Sequence, residues 1–200
     1  MSAHAGLMSV MLAGLFGAFA GFAGQPAQFA IAAEAPRASK MHRTHVGEPD
    51  ASGQVIADST DGGFTLKLPA RFNDFTIAQS DPTSLVMRTD TIGGVTQQAI
   101  KFSATRIAYR DGIDAARSLF ARMESGQDLG GKPERLFRHR IGRYPALDFM
   151  IASASNRAYQ RVVLLESDLL LMVVESPRDY VMLAERLATP FFDSLAISRP

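Results

Sequence analysis

The densest run of reactive side chains is "KPERLFRHRIGR", residues 132–143. Lys132, Arg135, Arg138, Arg140 and Arg143 stand there against the single acid Glu134, with His139 among them. Laid out as a strand, the run puts Arg138 and Arg140 on one face and Phe137, His139 and Ile141 on the other. Two guanidinium groups one pleat apart, helped by Lys132 and Arg143, suit a carboxylate, a phosphate or a lipid head group. The same residues suit a charged edge strand, where arginine and lysine discourage sheet-to-sheet aggregation. Lys132, Arg135, Arg138, Arg140 and Arg143 are therefore the candidate ligand- or partner-binding residues, with edge protection as the other reading.

Other chemistry finds less support. His42 and His45 in "MHRTH" have a spacing that can bring two imidazoles together, and imidazole is a common metal ligand. Outside the leader only His139 remains, and a structural zinc site usually takes four protein ligands and a catalytic one three. A solvated linker is expected at these histidines, with no metal and no cofactor. Ser194 follows Asp193, but neighbours on a helix point in different directions, and no G-x-S-x-G is present. Asp193-Ser194 is read as a helix-end device. The pairs Gly62-Gly63, Gly93-Gly94 and Gly130-Gly131 read as turn punctuation, and none completes a nucleotide-binding fingerprint. Asp148, Glu166, Asp168 and Glu175 are the carboxylates considered for a pair, but glycosidase work needs two at a defined gap, which spacing alone does not supply. The chain has no cysteine, which removes disulfides, thiol nucleophiles and a lipid-modified lipoprotein cysteine. No catalytic constellation is recognisable, and the expectation is a protein that is not an enzyme.

The elements around these residues follow from periodicity. "GGFTLKLPARF" alternates Phe64, Leu66 and Leu68 against Thr65 and Lys67, a half-buried strand stopped by Pro69. "NDFTIAQS" and "SLVMRTDT" read as strands, the second leading to a turn at Gly93-Gly94, and "TQQAIKFSATRIAY" as a longer strand running to Tyr109. A helix follows, capped near Asp111 or Gly112, with Ile113, Ala116, Leu119, Phe120 and Met123 on one stripe. Four strands then come in quick succession, "ERLFRHRI", "PALDFMIASAS", "YQRVVLLES" and "LLLMVVESP". Their short separations permit only hairpins, so this part of the sheet is antiparallel. The nearly continuous apolar runs Val162 to Leu165 and Leu169 to Val174 require cover on both faces. At the end, Tyr180, Leu183, Ala184, Leu187, Phe191 and Leu195 form a stripe interrupted by Pro190, which costs about 3 kcal/mol inside a helix. That cost disappears if one helix stops at Ala188 and a second starts with Thr189 as cap and Pro190 in its first turn, so a bend is expected there. Asp193 would then sit in a first turn, where the dipole favours an acid.

Composition bounds the rest. At 46% hydrophobic and 20% charged, with net charge +1, the chain is globular and has no global field to recruit nucleic acid. Residues 1–33 contain no Asp, Glu, Lys or Arg and end in Ala30-Ile31-Ala32-Ala33, which fits signal cleavage near Ala32 or Ala33. The n-region lacks the usual Lys or Arg. The run 5–24 is just long enough to span a bilayer, so an uncleaved membrane anchor and an intracellular segment are the other readings. A core helix is disfavoured by Gly14, Gly17, Gly21 and Gly24. Residues 34–60 are polar, with two prolines and no apolar period, and read as a flexible linker; the domain is expected at 61–198.

The order of motifs carries a family likeness. A "F-x-L-x-L-P" opening strand precedes a helix after a long strand. Then come "GRYPALDF", "YQRVV", "LLLMVVESP" and a closing helix ending "FFDSL". This resembles the PsbP/Mog1/DcrB-like superfamily of exported or membrane-tethered domains, from about Gly63 to Ile197. The resemblance implies an α+β fold, an antiparallel β-sheet flanked by helices, as a single domain after the leader. It implies no shared catalytic residues. It implies an exported, periplasmic accessory or binding module acting on a protein partner or a small envelope ligand. The alternatives are an envelope enzyme of unrecognised type, and a structural protein anchored in the inner membrane through residues 5–24 and facing the periplasm. The chain lacks the lipobox cysteine by which many bacterial relatives are anchored.

Overall fold

The structure is a computed structural model and describes residues 37–45, 50–51, 53–127, 129 and 132–198. The leader expected at 1–33 lies outside them, as do Gly130 and Gly131. Eight strands form one sheet: β1 (Arg37–His45), β4 (Phe72–Gln79), β5 (Val86–Val95), β6 (Lys101–Tyr109), β7 (Pro133–Ile141), β8 (Tyr144–Ala152), β9 (Asn156–Leu164) and β10 (Asp168–Pro177). Their order is β1-β4-β5-β6-β10-β9-β8-β7, with every neighbouring pair antiparallel. A small sheet ordered β11-β3-β2 joins β2 (Val55–Asp58), β3 (Phe64–Leu68) and β11 (Ala196–Ile197). Among the described residues the helices are α1 (Gly112–Glu124) and α2 (Val181–Asp193), the latter entered through a 3-10 turn at Arg178–Tyr180. The class of these described residues is α+β: a mostly antiparallel sheet with two helices.

β10 lies at the centre of the packing. Leu170, Met172 and Val174 pack with Phe64, Leu66 and Leu68 of β3 and with Ala184, Ala188 and Phe191 of α2. Leu169, Leu171 and Val173 pack with Ala116, Phe120 and Met123 of α1. Alternation along a strand sends these two sets to opposite faces, which is why the sequence of β10 is apolar almost throughout.

Several expectations are corrected. Residues 37–45 and 55–58 are not a flexible linker: β1 pairs with β4, and β2 with β3. β1 is an edge strand held by backbone pairing, with Ser39, Lys40, Met41, Arg43 and Thr44 exposed, so its sequence shows no apolar period. In β2 only Val55 and Ala57 turn inward, too short a pattern to stand out. Gly93 and Gly94 lie inside β5 rather than at a turn. A Cβ on Gly94 would come within 2.3 Å of the Arg71 carbonyl oxygen, so glycine is required for the backbone to approach that closely.

The strand placed at "TQQAIKFSATRIAY" starts only at Lys101, because Thr96 to Ile100 close a turn, with Thr96 N–H donating to the Ile100 carbonyl at 2.9 Å. At the C-terminus, α2 runs unbroken through Pro190. Thr189 and Pro190 are exposed, so the Arg186 carbonyl that loses its partner faces water. An unbroken helical phase is what buries Ala184, Ala188 and Phe191 on one stripe, and a break at Thr189 would turn Phe191 off it. Phe191 meets Phe102 edge-to-face at 5.3 Å between centroids. Tyr180 precedes the helix and is exposed rather than part of the stripe.

Candidate functional site

The β7–β8 hairpin builds the site. Gly142 and Arg143 form its two-residue turn, and Gly142 takes φ +57°, as a turn with glycine in the first central position demands. The turn fixes the register Ile141↔Tyr144, His139↔Ala146 and Phe137↔Asp148, with Arg138↔Leu147 and Arg140↔Pro145 between them. In a two-residue hairpin the pair flanking the turn exchanges backbone hydrogen bonds, so His139 and Phe137 do the same at every second position. Arg138 and Arg140 then direct their N–H and C=O groups away from β8. Pro145, which has no N–H, accordingly sits opposite Arg140.

Across the next strand Asp148 pairs with Arg161, so Phe137, Asp148 and Arg161 form one row over β7, β8 and β9. The Arg161 side chain is only 10% exposed. Its Nε donates to Asp148 Oδ1 at 2.8 Å and its Nη2 to Asp148 Oδ2 at 2.7 Å, a two-point grip. Nη1 lies 3.3 Å from Asp193 Oδ1 at the end of α2, and the guanidinium sits 5.1 Å from the centre of the Phe192 ring. His139 Nε2 lies 2.9 Å from Asp148 Oδ1, and its ring stacks on Phe137 with centroids 6.1 Å apart.

Burial works against ionisation of Asp148, but its bonds to Arg161 and then His139 outweigh it and hold the carboxyl below its ordinary value. Burial likewise opposes the charge on Arg161. The Asp148 bonds, then Asp193, outweigh it and push the guanidinium further up. Both charges are therefore fixed. Phe137, by contrast, is 65% exposed, an aromatic ring standing on the rim of the sheet.

The five candidate residues are all at this rim, but they do not converge on one point. Arg138 Nε donates to Glu124 Oε1 of α1 at 3.1 Å and its Nη2 to the Glu124 carbonyl at 2.6 Å. Arg135 reaches Glu185 of α2 at 3.3 Å, from a bulge where its φ is +58°. Arg143 pairs with Glu166 and lies over the Tyr144 ring. Arg140 donates to the Arg143 carbonyl, and Lys132 is exposed. Arg138 and Arg140 share a face as alternation requires, while Phe137 and His139 share the other.

The remaining chemistry sorts itself by partners. Asp168 takes Arg106 at 2.6 Å, Glu175 takes Asn156 at 2.7 Å and Lys101 at 3.7 Å, and Glu166 takes Arg143, so none of these acids pairs with another. Ser194 Oγ donates to the Phe191 carbonyl at 2.7 Å and accepts from Lys67 N–H at 2.9 Å, a helix-end role. Asp193 is not in a first turn but is the last residue of α2, where the dipole alone would disfavour it, and Arg161 supplies the compensating charge.

His42, expected in a solvated linker, is in β1 with its side chain 5% exposed. Its Nε2 is 2.8 Å from Thr76 Oγ1 and 3.3 Å from Asp61 Oδ2, and Thr76 donates to Asp90 at 2.7 Å. This polar seam ties the edge strand to β4 and β5. Among the described residues no three of His, Asp and Glu gather as a metal site. Arg161 and Asp193 were not legible as site residues. The available signal was a charge set among apolar neighbours, Asp148 between Leu147 and Phe149 and Arg161 beside Val162.

Fold and rim together define an α+β domain whose sheet ends in an arginine-bearing edge. No protein-family model matches the chain, and no curated protein does. Among solved structures it is similar to the solution structure of cyanobacterial PsbP (CyanoP) from Synechocystis sp. PCC 6803, with a TM-score of 0.47 and 8% identity, covering 76% of this chain and 97% of that one. It is also similar to LpqN of Mycobacterium tuberculosis, described as involved in cell envelope biogenesis, with a TM-score of 0.37 and 16% identity, covering 82% and 92%. No helix among the described residues is long and apolar enough to cross a membrane.

Proposed function

We propose that this chain is an exported, non-enzymatic accessory module that binds a protein partner or envelope ligand in the periplasm through the rim formed by β7. In this reading residues 1–33 are a cleaved leader, and the remainder is a single domain with its sheet flanked by the two helices. The observation that carries it is Phe137: a large ring, 65% exposed, displayed on an edge strand that also bears Arg135, Arg138 and Arg140. Exposed aromatic and arginine side chains set together are what protein interfaces favour. The nearby titratable groups support binding over catalysis, because both Asp148 oxygens are already held and the Ser194 hydroxyl is committed to backbone partners.

The test is retention from native envelope extracts by the purified chain, beside an Arg138→Ala/Arg140→Ala variant. A species kept by the parent and lost by the variant is the expected result. The same species kept by both would move the site off β7, and retention by neither would remove the binding reading.

A further inference from the structure

Two strands close the eight-stranded sheet, β1 and β7, and an edge strand offers unpaired backbone donors and acceptors to another chain. On β7 the hairpin register assigns those groups to Arg138 and Arg140, whose N–H and C=O point away from β8. We infer that β7 docks an acidic, extended segment of a partner protein, which adds to the sheet as a further strand alongside Arg138 and Arg140. The inference rests on the binding-module reading above and gives the partner a chemistry.

Three observations select this occupant. The first is charge: five cations from Lys132 to Arg143 face one acid, Glu134, along the strand and its ends. Arg140 meets no carboxylate among the described residues. The Arg138–Glu124 pair is exposed on both sides, and such surface pairs are worth about 0–1 kcal/mol, so an incoming carboxylate can share or displace them. The second is alternation. Arg138 and Arg140 lie on the opposite face from Phe137 and His139, so a flat anionic membrane surface cannot meet both sets. A strand lying along the edge can, because its own side chains alternate between the faces. The segment's pattern follows: acids over Arg138 and Arg140, apolar side chains over Phe137 and His139. The third is the exclusion of occupants from this chain. A second copy of β7 would set cations against cations, and residues 1–33 contain no acid to offer.

The probe is a blocked peptide alternating glutamate and valine, nine residues long like β7, titrated into the full chain. Binding is expected to slow hydrogen exchange at the Arg138 and Arg140 amides. Methylating the peptide nitrogens that face β7, which leaves its charge unchanged, is expected to weaken binding about tenfold or more. Exchanging glutamate for lysine is expected to abolish it. Equal affinity of the methylated peptide, protection at β1 instead of β7, or no binding of the parent peptide would each overturn strand addition. If the peptide fails while envelope extracts still yield a species lost on Arg138→Ala/Arg140→Ala, the module reading stands and only strand addition falls. If both fail, both readings fall together.

Discussion

At Pro190 the hydrogen-bond ladder of α2 lacks a rung, because the ring nitrogen has no hydrogen to donate to the Arg186 carbonyl. In a Pro190→Ala variant the restored bond contributes about 1 kcal/mol net. Relief of the ring's crowding against that carbonyl adds to it, within the roughly 3 kcal/mol that proline costs in a helix interior. Acting the other way, the unfolded chain regains freedom that proline denied it, about 0.4–1 kcal/mol. The balance is a gain of about 1 kcal/mol, or a rise of about 2–4 °C in Tm for a chain of this size. Thr189→Ala is the companion change. In a continuous helix an exposed threonine yields to the better helix former, so stability holds or rises slightly. Were Thr189 a cap on a second helix, its loss would cost about 1 kcal/mol. Urea unfolding and thermal melts followed by circular dichroism measure both. Loss of stability in both variants would refute the continuous helix and restore the bend.

Two further predictions concern the core and the site. Asp148 ionises more readily folded than unfolded, so its stabilisation is fully present above about pH 4 and is lost as pH falls through the lowered folded value. Asp148→Asn should therefore destabilise by about 2 kcal/mol at pH 7, and its gap from the parent should narrow progressively as pH falls below about 4, read by urea midpoints along a pH series. Gly94→Ala sets a Cβ against the Arg71 carbonyl and should cost about 1–3 kcal/mol or more, measured by the same unfolding curves.

Most strands from β3 to β10 were legible because alternation and turn residues agree locally, and because the hairpins after α1 leave no room for crossovers. β1 was not, because an edge strand needs no apolar face. Its polar sequence matches that of a linker until the pairing with β4 is known. At Pro190 the local rule pointed the wrong way. The cost of proline is a property of the segment, whereas burying Phe191 against Phe102 depends on a strand far away in sequence.

The site divides in the same manner. Lys132 to Arg143 is a run anyone can read along the chain, and its place on an edge strand follows from its charge. The grip of Arg161 on Asp148 needs the β8–β9 register, and its contact with Asp193 needs the end of α2 to lie over β9. Neither is written in local spacing. His42 was hidden for the same reason as β1: the side chains that enclose it, Thr76 and Asp61, come from later in the chain.

The most direct test of β7 as the binding rim is photo-crosslinking in living cells. A photoreactive benzoylphenylalanine is placed at Phe137, 65% exposed, and in parallel at Met41, 57% exposed on the opposite edge. A binding module acting through β7 predicts a discrete adduct with an envelope component from position 137, diminished by Arg138→Ala/Arg140→Ala, and none from position 41. Adducts from position 41 with none from position 137 would contradict it.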